Sequence, residues 1–156
     1  MNAPVDYRNT YRDQLDRVRR FLARMQREAD QAEFQDMAWS FFQHCWHLKD
    51  WINSDRVLVN DAQRRPINAA AHVAGSPLRL CQDLCNGTKH LGSRPGARQH
   101  HMAYTLFAWA RRSEMDCIID DGHGHLISGK QLAAECVAEW ERILRAQGLS
   151  IDPVKA

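Results

Sequence analysis

The chain has 156 residues, of which 44% are hydrophobic and 26% are charged, and this size and balance predict a single globular domain over residues 1–156. Residues 1–7 contain no apolar segment of the kind found in secretory signal peptides. No apolar run approaches the roughly 18 residues that a membrane span needs. We therefore expect a cytoplasmic protein with no membrane segment. The net charge of +2 indicates no particular class of partner.

The first half of the chain predicts two long helices, over residues 10–32 and 33–53. In both segments apolar residues recur at steps of three and four, which is typical of a helix with one buried face. No Pro or Gly separates the segments, so they form either one bent helix or two helices with a tight turn near Asp30. The first segment also carries a basic stripe, which is either a solvated face or a surface for RNA phosphates. This stripe consists of Arg17, Arg20, Arg24 and Arg27.

The second half predicts further helices and a small β segment. A short helix is expected over residues 67–73. The pair Ser76 and Pro77 then begins a long helix that ends near Leu91, because Ser is a favoured N-cap and Pro is favoured at the first helical position. Residues 101–110 fit a strand or a helix, residues 117–127 predict a hairpin, and Ser128 caps a last helix over 129–147. The predicted fold is mainly α: a four-helix bundle-like core with a small β-hairpin or meander at about residues 100–127, before the C-terminal helix.

The five cysteines do not predict a disulfide framework, because their number is odd and the expected compartment is reducing. No two of them form a Cys-x-x-Cys pair, and most are expected to be small buried residues. They are Cys45, Cys81, Cys85, Cys117 and Cys136.

The richest group of reactive side chains lies in residues 79–90, RLCQDLCNGTKH. Within a helix, Asn86 and His90 lie on the same face because they are four residues apart. Residues 85–90 resemble the motif of the HEPN superfamily, which is an Arg, four residues and a His, often with Asn directly after the Arg. That resemblance implies a helical bundle that is usually dimeric. It also implies a metal-independent endoribonuclease of toxin–antitoxin, phage-defence or RNA-processing systems, or a relative that has lost catalysis.

The resemblance assigns roles to three residues. His90 would transfer a proton, and Asn86 would be the polar residue of the motif. Cys85 stands where the family has Arg, which stabilises negative charge on the phosphate, so Lys89 is expected to hold the phosphate instead. The candidate catalytic residues are thus His90, Asn86 and Lys89, with no cofactor.

Four further side chains are candidates for the binding part of this site. His47, Asp50 and Trp51 lie on neighbouring stripes of the second helix, and Asp83 lies on the third long helix. Asp50 would orient or ionise a partner, and Trp51 would supply the aromatic wall of a pocket. A structural interpretation also exists, in which Asp50 pairs across the helices with Lys89 or His90 and only fixes their register.

A metal site is a competing interpretation of the same helices. His44 and His47 share a helical face at i, i+3, and Cys81 and Cys85 share a face on the third long helix. Imidazole and thiolate are zinc ligands, so these four residues form an alternative metal set. Ordinary packing explains the same residues, with the histidines at the edge of the core and the cysteines within it.

These observations leave two classes of function open. One is a HEPN-like domain that binds or processes RNA in a defence or toxin–antitoxin context, as a homodimer or with a cognate protein partner. The other is a non-catalytic module that binds a protein or a nucleotide, and a metal-binding bundle is a further alternative.

Overall fold

The structure is a computed structural model that describes residues 10–28, 30–89, 102–107, 114–121 and 123–154. For residues 87–89, 102–107 and 114 it describes the backbone alone. Helices dominate the described residues and a small antiparallel sheet precedes the last helix, which confirms the mainly α fold. None of these helices has both the length and the apolar character needed to cross a membrane. The helices are α1 (Tyr11–Arg27), α2 (Gln31–Ser54), α3 (Asp61–Ala71), α4 (Pro77–Lys89) and α5 (Gly129–Ala146), and the strands are β1 (Met102–Phe107), β2 (Glu114–Asp120) and β3 (Leu126–Ser128).

The first two predicted helices are separate helices joined by a short turn. α1 ends at Arg27, and Asp30 begins α2 by accepting a hydrogen bond from the backbone N–H of Glu33 at 3.0 Å. An acceptor at this position satisfies one of the N–H groups that the first turn of a helix leaves without a partner. Of the two alternatives that the sequence left open, the structure therefore shows two separate helices and not one bent helix.

A buried carboxylate holds the start of α1 against the end of α2. Asp55 directly follows α2 and is 6% exposed. Its Oδ2 accepts the backbone N–H of Tyr11 at 3.0 Å, and its Oδ1 accepts those of Val57 and Leu58 at 3.0 and 2.8 Å. Several N–H donors can stabilise a carboxylate that burial would otherwise disfavour. Asp55 thus fixes the position of α1 along α2.

α2 is the central helix of the fold, because α1, α4 and α5 all pack against it. Two consecutive carbonyl groups in its middle accept hydrogen bonds from side chains of neighbouring helices. Gln14 of α1 donates its Nε2–H to the carbonyl of His44 at 2.9 Å, and Trp140 of α5 donates its Nε1–H to the carbonyl of Cys45 at 3.0 Å. Both donors are fully buried, so each bond satisfies a polar group that water does not reach.

α3 begins earlier than predicted and contains a proline. The prediction placed a short helix after Pro66, whereas the observed helix starts at Asp61. Asn60 accepts the N–H of Gln63 at 3.0 Å, and the Gln63 side chain accepts the N–H of Asn60 at 2.9 Å. This reciprocal capping box begins the helix before the proline and explains the difference.

The β segment is a three-stranded antiparallel sheet with the order β1–β2–β3. β1 lies within the predicted residues 101–110, where the structure selects the strand over the helix, and the predicted hairpin corresponds to β2 and β3. Alternate residues of β2 are buried toward the helices, as expected for a strand with one inner face. These residues are Met115, Cys117 and Ile119.

The last helix starts at the end of the sheet, where the backbone comes very close to β2. Ser128 ends β3 and caps α5 by accepting the N–H of Gln131 at 3.2 Å, which confirms the predicted cap. Gly129 follows, and a Cβ atom there would lie 1.9 Å from the Sγ of Cys117. Any larger residue at position 129 would therefore displace the side chain of Cys117.

This close approach predicts a specific coupling between two substitutions. Gly129→Ala is expected to lower the free energy of unfolding by about 1–3 kcal/mol, because the added methyl group collides with Cys117. Cys117→Ala removes that sulfur, so the same glycine substitution should cost much less in the Cys117→Ala background. Urea unfolding of the four proteins in this double-mutant cycle measures the coupling. Equal costs in the two backgrounds would contradict the contact.

Candidate functional site

The basic stripe predicted on α1 lines a groove at its contact with α2. Three of its arginines surround a pocket of about 330 Å³, a size suited to a small ligand or part of a larger one. We call this surface the arginine groove. It consists of Arg17, Arg20, Phe21 and Arg24 of α1 and His44 of α2.

Two stacked rings form one wall of the arginine groove. The ring centroids of Phe21 and His44 lie 5.0 Å apart, and the rings are within 12° of parallel. Both side chains are half-buried, so each remains partly open to the solvent. A flat, partly exposed pair of this kind can extend its stack onto another planar group.

A buried glutamine orients one arginine of the groove. Arg17 donates from Nη1 to the Oε1 of Gln14 at 2.6 Å, while the amide nitrogen of the same glutamine binds the carbonyl of His44. The guanidinium carbon of Arg17 also lies 5.3 Å from the ring centroid of Trp51. A cation–π contact of this kind restrains the guanidinium without neutralising it.

The arginines of the groove differ from others on α1 in their partners. Arg19 points elsewhere and pairs with Asp16 and Glu141 at 3.1 and 2.7 Å. Within the described residues, by contrast, Arg20 and Arg24 have no carboxylate at ion-pair distance. The groove therefore concentrates positive charge that no carboxylate among the described residues neutralises.

The environment of the groove lowers the pKa of His44 below the ordinary value for histidine. Burial makes the largest contribution, and the positive charges of Arg17 and His47 add to it. The imidazole is consequently neutral at neutral pH. An anion bound between the arginines would offset their charge and raise this pKa.

The predicted binding residues on α2 reach the edge of the groove and the neighbouring α4. Trp51 contacts Arg17, as described above. His47 lies on the same side of α2, and its Nε2 is 3.7 Å from the Sγ of Cys85 on α4. Asp50 is largely exposed, and its carboxylate lies 3.2 Å from the ammonium group of Lys49. His47 thus links α2 to the segment that resembles the HEPN motif.

The motif residues themselves are described only in part. Asn86 is exposed and Asp83 is half-buried on α4. Lys89 is the last residue of α4, where the description is of the backbone, and His90 lies outside the described residues. Cys85, in the position of the family's Arg, is fully buried. A cysteine side chain carries no positive charge, so Cys85 cannot supply the charge that the motif normally provides.

The four alternative metal ligands occupy three different environments. His44 belongs to the arginine groove, His47 lies beside Cys85, and Cys81 lies elsewhere in the core. Cys81 meets Cys45 and Cys136, and the three Sγ atoms are within 4.8 Å of one another. Among the residues that the structure describes, this is the one group of three or more side chains with the spacing of metal ligands. Neither Cys45 nor Cys136 was included in the predicted set.

The chain matches no family model, no curated protein and no solved structure, so its function has to be argued from its own residues.

The charges around the arginine groove predict how His44 titrates. Its pKa in the folded protein should lie below 6.5, and Arg17→Gln should raise it because one repelling charge is removed. A histidine with a lowered pKa takes up its proton more readily when unfolded. The free energy of unfolding should therefore fall as the pH drops from about 6.5 through the folded pKa, and His44→Gln should remove this component.

NMR titration of the imidazole signals measures these values, with His44→Gln as the assignment control. Arg65→Gln serves as the matched control, because Arg65 is an exposed arginine on α3, outside the arginine groove. A pKa for His44 at or above 6.5 would contradict the electrostatic description of the groove.

Proposed function

We propose that this protein is a HEPN-like helical domain that binds single-stranded RNA through the arginine groove, in a defence or toxin–antitoxin setting. The observation that carries the proposal is the arrangement of three arginines around the stacked rings of Phe21 and His44. Arginine offers planar, paired donors that match phosphate oxygens. Single-stranded nucleic acids are typically held by such cations together with aromatic rings on which bases stack.

The spacing of the arginines fits a phosphate backbone. Arg17, Arg20 and Arg24 stand at i, i+3 and i+7, so they follow one side of α1. Arg17 is held in place by Gln14 and Trp51, which lowers the entropy lost when it binds an anion. An acidic protein could use the same charges, but only its occasional aromatic side chains could stack on the rings, whereas every nucleotide of RNA carries a planar base. The aromatic wall therefore favours RNA as the partner.

The groove also accounts for the missing arginine of the motif. Cys85 is buried and offers no positive charge, so positive charge for a phosphate must come from another part of the chain. Arg17 contacts Trp51, which lies one turn from His47 on α2, and His47 in turn lies beside Cys85. Side chains on adjacent turns of α2 thus lie beside both the arginines of α1 and the motif segment on α4. We propose that α1 supplies the phosphate contacts, with a second copy of the chain completing a dimer.

The proposal predicts that RNA binding depends on the arginines of the groove. The double variant Arg20→Ala/Arg24→Ala should bind a labelled oligouridine at least about tenfold more weakly, which corresponds to about 1.4 kcal/mol. The logarithm of the association constant falls linearly with the logarithm of the salt concentration, and the magnitude of this slope should drop by about 1.4, because two phosphate contacts are lost at about 0.7 each. Fluorescence anisotropy over a range of salt concentrations measures both quantities.

The matched control is Arg65→Ala/Arg145→Ala, which removes two exposed arginines from α3 and α5 and gives the same net charge. It should leave affinity and salt slope nearly unchanged. His44→Ala should weaken binding without changing the slope, because stacking involves no counterion release. Equal losses in the two double variants would show non-specific charge attraction and would reject the groove as the binding site.

Catalysis by the motif makes a separate prediction. If His90 transfers a proton during RNA cleavage, labelled RNA should be cut in the presence of EDTA, and His90→Ala should abolish cutting. The readout is the appearance of shorter fragments on a denaturing gel. Cleavage that survives His90→Ala would show that His90 is not catalytic. Binding without cleavage by the unmodified protein would assign it to the non-catalytic class.

A further inference from the structure

Three of the five cysteines meet at one point inside the helical core. Cys45 comes from α2, Cys81 from α4 and Cys136 from α5, and all three are fully buried. Their Sγ atoms lie within 4.8 Å of one another. Three sulfurs bound to one ion at about 2.3 Å lie at most about 4.0 Å apart, which is the spacing of a planar arrangement. Small shifts of the side chains would therefore bring all three sulfurs onto one ion.

Two of these thiols also make hydrogen bonds to backbone carbonyls. The Sγ of Cys81 lies 3.4 Å from the carbonyl oxygen of Phe42, and that of Cys136 lies 3.5 Å from the carbonyl oxygen of Pro77. In both bonds the thiol is the donor, so both sulfurs carry a proton in this structure. Because thiolates are the ligands, binding of an ion releases these protons.

We propose that Cys45, Cys81 and Cys136 form a three-coordinate site for a soft, thiophilic ion, and that trivalent arsenic fits it best. Thiolate ligands favour soft ions over the hard ions that prefer oxygen. A structural zinc ion normally takes four ligands, and no fourth His, Cys, Asp or Glu joins the three thiols in the described part of the chain. The donor set therefore favours an ion that is satisfied by three sulfurs.

Charge selects among the ions that accept three thiolates. Three thiolates carry three negative charges. A monovalent copper ion would therefore leave two negative charges on the complex, and a divalent zinc ion would leave one. Trivalent arsenic leaves none. Because an uncompensated charge in a fully buried site is costly, the neutral complex is the one that this core accommodates most easily.

The binding reaction balances without any other reagent. Arsenous acid, As(OH)₃, reacts with three thiols so that three As–S bonds form while three As–O and three S–H bonds break. The hydroxyl groups and the thiol protons leave as three water molecules. Arsenic remains trivalent and the sulfurs are not oxidised, so no oxidant or reductant is required.

Native mass spectrometry of the full chain with sodium arsenite tests the site. We expect one arsenic per chain, with a mass increase of one arsenic atom minus three hydrogens. Cys85→Ala and Cys117→Ala remove buried cysteines outside the cluster and should leave this adduct intact. Alanine at any one of the three cluster positions should eliminate the three-proton adduct and weaken arsenite binding at least tenfold. Unchanged binding in those variants, or no adduct in the unmodified protein, would overturn the proposal.

Two measurements on the unmodified protein guard against variants that fail to fold. X-ray absorption at the arsenic edge should show three sulfur neighbours, whereas an oxygen in the first shell would contradict the three-thiolate site. Arsenite should also raise the melting temperature, because an ion that binds only the folded chain stabilises it. Parallel titrations with zinc and with monovalent copper test the charge argument. If the protein bound zinc or monovalent copper more tightly than arsenite, the assignment of the site to trivalent arsenic would be rejected.

Discussion

The middle of α2 accepts hydrogen bonds from side chains of three other helices, and the arrangement of the molecule depends on these bonds. Backbone carbonyls among residues 42–45 receive Gln14 from α1, Cys81 from α4 and Trp140 from α5. A helical carbonyl has a second lone pair, so it can accept such a bond while the helix stays intact. All three donors are buried, and losing a partner would leave a polar group without water or protein to bind. The bonds therefore fix both the position and the rotation of each neighbouring helix.

Most of the fold could be predicted because its boundaries depend on local chemistry. Ser128 caps α5 as expected. Ser76 directly precedes α4 and Pro77 is its first residue, with the hydroxyl of Ser76 accepting the N–H of Leu78 at 3.2 Å. These signals act within one helical turn, so the sequence displays them directly. The start of α3 differs from the prediction because Pro66 is tolerated inside a helix that an upstream capping box has already begun.

The candidate sites could be predicted only in part, because they depend on how the helices pack. The arginines on α1 are visible in the sequence as a stripe. Their relation to His44 is not visible, since it depends on where Gln14 and Asp55 hold α1 along α2. The thiol cluster has no local signal at all. Cys45 and Cys136 lie far apart in the sequence and meet only because α2 and α5 pack together around Trp140.

Two adjacent residues of α2 take part in the two proposed sites. His44 lines the arginine groove, whereas Cys45 belongs to the thiol cluster, and successive side chains on a helix diverge by about 100°. The same turn of α2 therefore carries a charged surface that faces water on one side and a buried thiol cluster on the other. The arrangement suits both kinds of chemistry, because arginines need solvent when no anion is bound, whereas cysteine side chains pack well inside the core. Gln14 and Trp140 bind the carbonyls of these same two residues, so neither site can shift along α2 without breaking a buried hydrogen bond.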